Sequence, residues 1–94
     1  MKLDNKEIFQ IEKIAKALAN HQRIKILYLL QGKEEKSLGE IADYFNKDYK
    51  TIAEHLRRLV LSALVHKRRE GVLVYFRLSS LGEKILTLLP QMLS

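Results

Sequence analysis

Apolar residues recur at helical spacing in five segments of the chain and at a spacing of two in one. After Asp4, a good N-cap, Ile8, Ile11, Ala15 and Leu18 form a stripe that predicts a helix over residues 5–19. Phe9, Ile14 and Ala17 widen it beyond the roughly 100° of a helix covered on one side, so this helix is expected to have two apolar neighbours. Asn20 caps a second helix, residues 21–30, with Ile24, Leu27, Tyr28 and Leu30 toward the core and Gly32 past its end. KEEK, residues 33–36, reads as a charged loop. Ser37-Leu-Gly-Glu40 is a capping box ahead of Leu38, Ile41, Ala42 and Phe45, which predicts a short helix over 38–45. Asp48 then caps a longer helix, 49–62, with Ile52, Leu56, Leu59 and Val60 on one face. Two helices joined by about three residues make a helix-turn-helix.

From Leu64 the period falls to two. Val72, Val74, Phe76 and Leu78 alternate with Leu73, Tyr75 and Arg77, the pattern of a strand buried on one face. Residues 65–69 form its partner, and the chain reverses through Glu70-Gly71, giving a hairpin over 65–78. A last helix, 80–93, is capped by Ser79 or Ser80, the latter opening a second capping box with Glu83, and Pro90 should end or kink it. The fold class is therefore mainly α with a β-hairpin, in a single domain over residues 1–94. The first and last helices carry more apolar surface than one neighbour covers. That surplus predicts a homodimer contact through Ile8, Ile11, Ile14, Leu18, Ile85, Leu88, Leu89 and Met92.

Composition narrows the function classes. A chain of 94 residues, 47% of them apolar, supports one modest core. The absence of cysteine excludes disulfides and thiolate metal ligands. MKLDNKEIFQ is too polar for a signal peptide, and charged residues interrupt every apolar run before it could span a bilayer. A cytoplasmic protein without a membrane partner is expected. No phosphate-binding glycine loop or Ser/His/Asp spacing is present, so an enzyme is not expected. The three histidines have no metal-ligand spacing, and neither metal nor other cofactor is expected.

Charge then localises the chemistry. The net charge is +6, yet residues 1–46 hold eight basic and seven acidic side chains and residues 78–94 one of each. Residues 47–77 hold eight basic and three acidic ones, so nearly all the surplus lies on the long helix and the hairpin. On a helical wheel Lys50, Thr51, Glu54, Arg57 and Arg58 lie opposite Ile52, Leu56 and Leu59, with Tyr49, Ala53 and Val60 at the flank. An exposed basic helix that is the second of a helix-turn-helix has the shape and charge to enter a DNA major groove. Lys67, Arg68 and Arg69 on the hairpin would reach phosphate or the adjoining minor groove. Two residues keep two readings. Glu54 either pairs with Lys50 and Arg58 along the helix or accepts from cytosine. His55 is either packed or a phosphate contact.

KALANHQRIKILYLL (16–30), SLGEIADYF (37–45) and TIAEHLRRLVLSALVHKRREGVLVYFRL (51–78) together resemble the ArsR type of winged helix-turn-helix repressor. The resemblance implies a dimeric regulator of transcription with residues 49–61 in the major groove, a wing at 66–73 and dimer contacts from the terminal helices. Metal-sensing members of that family carry cysteines in the segment matching 37–45, or carboxylate and histidine ligands on the last helix. SLGEIADYF and SSLGEKILTLLPQMLS have neither Cys nor His. The family also usually has glycine where this chain has Ala63. Double-stranded DNA and a second copy of the chain are the expected partners, and no effector is legible. The competing readings are a winged-helix protein-interaction module and a DNA-coating protein without sequence preference.

Overall fold

The computed structural model describes residues 2–32 and 34–94; Lys33 of the expected KEEK loop and Met1 lie outside the described residues. Its elements are α1 (Asn5–Leu18), α2 (His21–Leu29), β1 (Lys36–Ser37), α3 (Leu38–Phe45), α4 (Tyr49–Leu61), β2 (Val65–Glu70), β3 (Leu73–Leu78), α5 (Ser80–Leu88) and a closing 3-10 helix (Leu89–Leu93). Side-chain caps set most of these starts. Asp4 and Glu7 exchange bonds of 2.8 and 3.0 Å with each other's backbone N–H, Asn20 accepts from the Arg23 N–H at 3.0 Å, and Ser37 and Glu40 form the expected box.

The last helix takes one of its two expected caps, and departs from expectation in the absent Ser80–Glu83 box and in its length. Ser79, not Ser80, is its cap: the Ser79 hydroxyl accepts from the Gly82 N–H at 2.9 Å and donates to the Ala63 carbonyl at 2.7 Å. One hydroxyl thus ties the start of α5 to the end of α4, and Ser80 becomes the first helical residue, so no Ser80–Glu83 box forms. The α-helix stops at Leu88 instead of running to 93, because Pro90 has no N–H for an i→i−4 bond; the chain tightens into the 3-10 helix.

Ile26, Leu27, Leu30, Ile41, Ile52, Leu56, Leu59 and Leu64 are fully buried. In α2 the inward set differs from the expected stripe. Ile26 is inside, Ile24 is half-buried, and Tyr28 is partly exposed with its hydroxyl donating to the Leu86 carbonyl at 3.3 Å. The helix packs on both α4 and α5, so a single stripe cannot describe its buried surface.

The sheet is antiparallel in the order β1-β3-β2, with Lys36 opposite Phe76, and with Val65 opposite Leu78 through to Glu70 opposite Leu73. Because Glu70 is paired, the hairpin turns through Gly71 and Val72, one residue later than expected. Gly71 takes a positive φ of 60°, and Val72 sits at the tip, 95% exposed, instead of on the buried face. β1 was not expected: two residues are too few to display a period.

Two left-handed residues frame α4. Asn46 (φ 53°) turns the chain between α3 and α4, a conformation its short polar side chain tolerates. Ala63 (φ 65°) ends α4, with Leu64 N–H bonded to the Leu59 carbonyl and Ala63 N–H to that of Val60, both at 3.0 Å. A Cβ in this conformation is strained, so Ala63→Gly is expected to stabilise the fold by about 0.5–1 kcal/mol, read as a raised urea midpoint with an unchanged slope.

Candidate nucleic-acid interface

The local sequence sets the pose of α4. Asp48 accepts from the Thr51 N–H at 2.6 Å, and this contact with Thr51 holds the Asp48 carboxyl below its usual range. Ile52, Leu56 and Leu59 are buried, which leaves Tyr49, Lys50, Thr51, Glu54, Arg57 and Arg58 exposed and His55 half-buried at the edge. The positions read from the helical wheel are therefore those the fold adopts.

The ion pairing on this face differs in one partner. Glu54 takes two bonds from Arg57, at 2.9 and 2.7 Å, and an ion pair with Arg58 at 3.5 Å, and not the expected pair with Lys50. The fork of a guanidinium one turn along offers two parallel donors, which an ammonium cannot match. Arg57, and then the charge of Arg58, pull the Glu54 carboxyl down to about 2. The groups are half exposed, so the network contributes little to stability; its effect is to hold two arginines on the outer face.

On the hairpin, strand alternation divides the three cations that the sequence grouped together. Lys67 and Arg69 share a face with buried Val65, opposite Phe76 and Val74, and this face turns toward α4. Arg68 points the other way. Its guanidinium bonds Glu35 at 2.9 Å and Glu70 at 3.1 Å, and lies 4.7 Å from the centre of the Tyr75 ring. Arg57 of α4 and Lys67 of β2 line one cleft of about 180 Å³ together with Leu38, Ala53, Val60, Leu61, Val74 and Phe76. The helix and the wing thus present adjoining cations, with Arg68 set apart.

Three basic residues join this region that sequence reasoning did not assign to it. Lys13 and Lys16 of α1 line a hollow of about 160 Å³ with Arg57 and Arg58. Arg23, the third, is buried at the joint of α1, α2 and α4. No local pattern signals them, because their proximity to α4 arises only from tertiary packing. His21 and His66 are exposed. Among the described residues, no three His, Cys, Asp or Glu side chains are grouped to hold a metal ion. No helix there is long and apolar enough to cross a membrane.

A helix-turn-helix followed by a short antiparallel hairpin and a closing helix defines a winged helix-turn-helix protein. The chain belongs to the arsR family of bacterial regulatory proteins, whose model matches residues 20–67. It is 27% identical over 78 residues to the HTH-type transcriptional regulator KmtR of Mycobacterium tuberculosis, an alignment covering 83% of this chain and 59% of that relative. It is 33% identical over 67 residues to the transcriptional repressor SdpR of Bacillus subtilis, covering 71% of this chain and 73% of SdpR. Among solved structures it resembles the homodimeric winged helix-turn-helix DNA-binding domain Mb0332 of Mycobacterium bovis. That likeness has a TM-score of 0.80 and 32% identity, and covers 99% of this chain and 87% of the other. The chain spans less than two thirds of the length of KmtR.

Proposed function

We propose that residues 1–94 act as one DNA-binding domain of a homodimeric, sequence-specific transcriptional regulator of the cytoplasm, and that it works as a repressor. In this reading α4 enters the major groove, with Tyr49, Lys50, Thr51 and Glu54 nearest the bases. His55, Arg57 and Arg58 meet phosphate farther along the helix. Lys67 and Arg69 of the wing reach phosphate or the minor groove, and Arg68 joins them only on release from Glu35 and Glu70. The dimer forms through α1 and the C-terminal segment.

The observation that carries this reading is the shared face. The exposed side of the second helix of a helix-turn-helix and the inner face of the wing bring Arg57 and Lys67 to one cleft. A helix of about 10–12 Å diameter fits a major groove of about 12 Å. Membership of a family of regulatory proteins supports the same reading and speaks against an enzyme. So does the likeness to a homodimeric DNA-binding domain.

The test separates base recognition from phosphate binding. Lys50→Ala and Thr51→Ala are expected to lower discrimination between a selected duplex and a scrambled one by about 1–3 kcal/mol for each base-specific interaction removed. Lys67→Ala and Arg69→Ala should instead weaken both duplexes alike and flatten the dependence of log K on log salt by about one unit for each phosphate released per subunit. A salt titration of wild type and variants on both duplexes decides it. Wing variants that change neither affinity nor slope contradict the assignment.

A further inference from the structure

Arg23 is the charged side chain that the fold buries among the described residues, at 9% exposure. Its guanidinium is fixed on two sides by the end of α1: Nε donates to the Ala17 carbonyl at 2.6 Å and Nη2 to the Lys16 carbonyl at 3.2 Å. The third corner, Nη1, lies 3.3 Å from Nδ1 of His55 on α4. A guanidinium carries five N–H donors and no acceptor. The contact is therefore a hydrogen bond only when His55 Nδ1 holds a lone pair, which places the proton of the neutral ring on Nε2. The alternative tautomer would set two donors face to face.

Nε2 itself makes no hydrogen bond among the described residues and is not among their fully buried unpartnered atoms, so on half-buried His55 it keeps some exposure. The surroundings also oppose a charged ring. Burial lowers the His55 pKa first; the charges of Arg23 and His21 on α2 and Arg58 on α4 act in the same direction, and Glu54 alone opposes them.

We propose that Arg23 is a positioning residue for the DNA-facing helix: by donating to His55 Nδ1 it holds the imidazole as the Nε2–H tautomer, leaving one neutral donor for a phosphate oxygen of DNA. The contact also ties α4 to the joint of α1 and α2, so one side chain sets both where the helix lies and which hydrogen-bonding group His55 shows. The DNA half of this proposal rests on the proposed function; the tautomer is a property of the free protein.

Long-range proton–nitrogen NMR of the free, full chain at neutral pH tests the tautomer. His55 is expected to show an unprotonated Nδ1 and a protonated Nε2, and Arg23→Met is expected to give a mixture. A protonated Nδ1 in the wild type, or an unchanged tautomer in the Arg23 variant, overturns the proposal. Two substitutions keep Arg23 in place and divide the roles. His55→Asn sets an amide oxygen near the Nδ1 position and has no donor at the ε position, so it should melt near wild type yet bind duplex about fivefold more weakly for each phosphate bond removed. His55→Gln reaches the ε position with its amide but leaves Nη1 unpaired, so it should melt lower and keep more affinity than His55→Asn. Equal losses in the two variants, in melting and in affinity, overturn the division.

A pH series reads whether the fold holds the ring neutral, as burial first and then the charge of Arg23 both require. With the folded pKa below the ordinary value of 6.5, the stability that rests on a neutral His55 ring is complete above that value and fades as pH falls through the lower folded pKa. Wild type should lose stability over that window and His55→Asn should not; identical profiles overturn the assignment. If the wild type binds no duplex at all, the DNA half fails with the proposed function, and the NMR result still decides the role of Arg23.

Discussion

Ile11→Glu is expected to turn the proposed dimer into a monomer and to weaken duplex binding by about 10²–10⁴-fold, the advantage forfeited when two linked sites become independent. Ile8, Phe9 and Ile11 are all at least half exposed on α1, as are Met92 and Leu93 at the other end of the chain, where Leu88 is 48% exposed. Ile14, Leu18, Ile85 and Leu89 pack partly on the core, so the exposed residues continue outward from it. A glutamate at position 11 therefore costs the isolated protomer little, while inside a dimer it would bury an unpaired charge. Sedimentation equilibrium of wild type and variant reads the change directly. An unchanged dimer would place the interface elsewhere.

The second large effect is on the fold. Gly82→Ala is expected to destabilise the protein by about 2–3 kcal/mol, the upper part of the overpacking range. A Cβ at Gly82 would overlap the carbonyl oxygen of Leu64 and press on Leu78 Cδ2 at 3.0 Å. Backbone is less able to move aside than a flexible side chain. The Leu64 carbonyl also accepts from the Ser79 N–H at 3.0 Å, so displacing it disturbs the cap of α5 and the exit from α4 together. Urea unfolding should show a lower midpoint, and an unchanged midpoint would show that the α5–β2 junction is looser than its geometry.

What was legible in the sequence follows the physical range of each signal. Capping and periodicity act within a turn or two, so Asp48, the Ser37–Glu40 box and the buried Ile52-Leu56-Leu59 face of α4 could be read locally and match the structure. Strand alternation was legible in Phe76 and Leu78, but the position of the turn was not, because it depends on whether Glu70 pairs with Leu73. The candidate interface divides in the same way. The outward face of α4 follows from its own period, and the opposed directions of Arg68 and Lys67 follow from the alternation of β2; which of the two turns toward α4 follows from tertiary packing. Arg68 is drawn to Glu35, thirty-three residues away, and Arg23 meets His55 across thirty-two, distances at which no sequence pattern carries information. The choice of Ser79 over Ser80 had the same origin, since it is settled by the Ala63 carbonyl at the end of another helix.

The central claim is that α4 and the wing together read a particular DNA sequence. Selection of bound duplexes from a random pool by the purified wild-type protein, followed by affinity measurements on the enriched and a scrambled duplex at one fixed salt concentration, tests it most directly. The predicted result is a single enriched family of sites bound at least about 10³-fold more tightly than the scrambled duplex. A pool that enriches no sequence, with equal affinity for both duplexes, would contradict it.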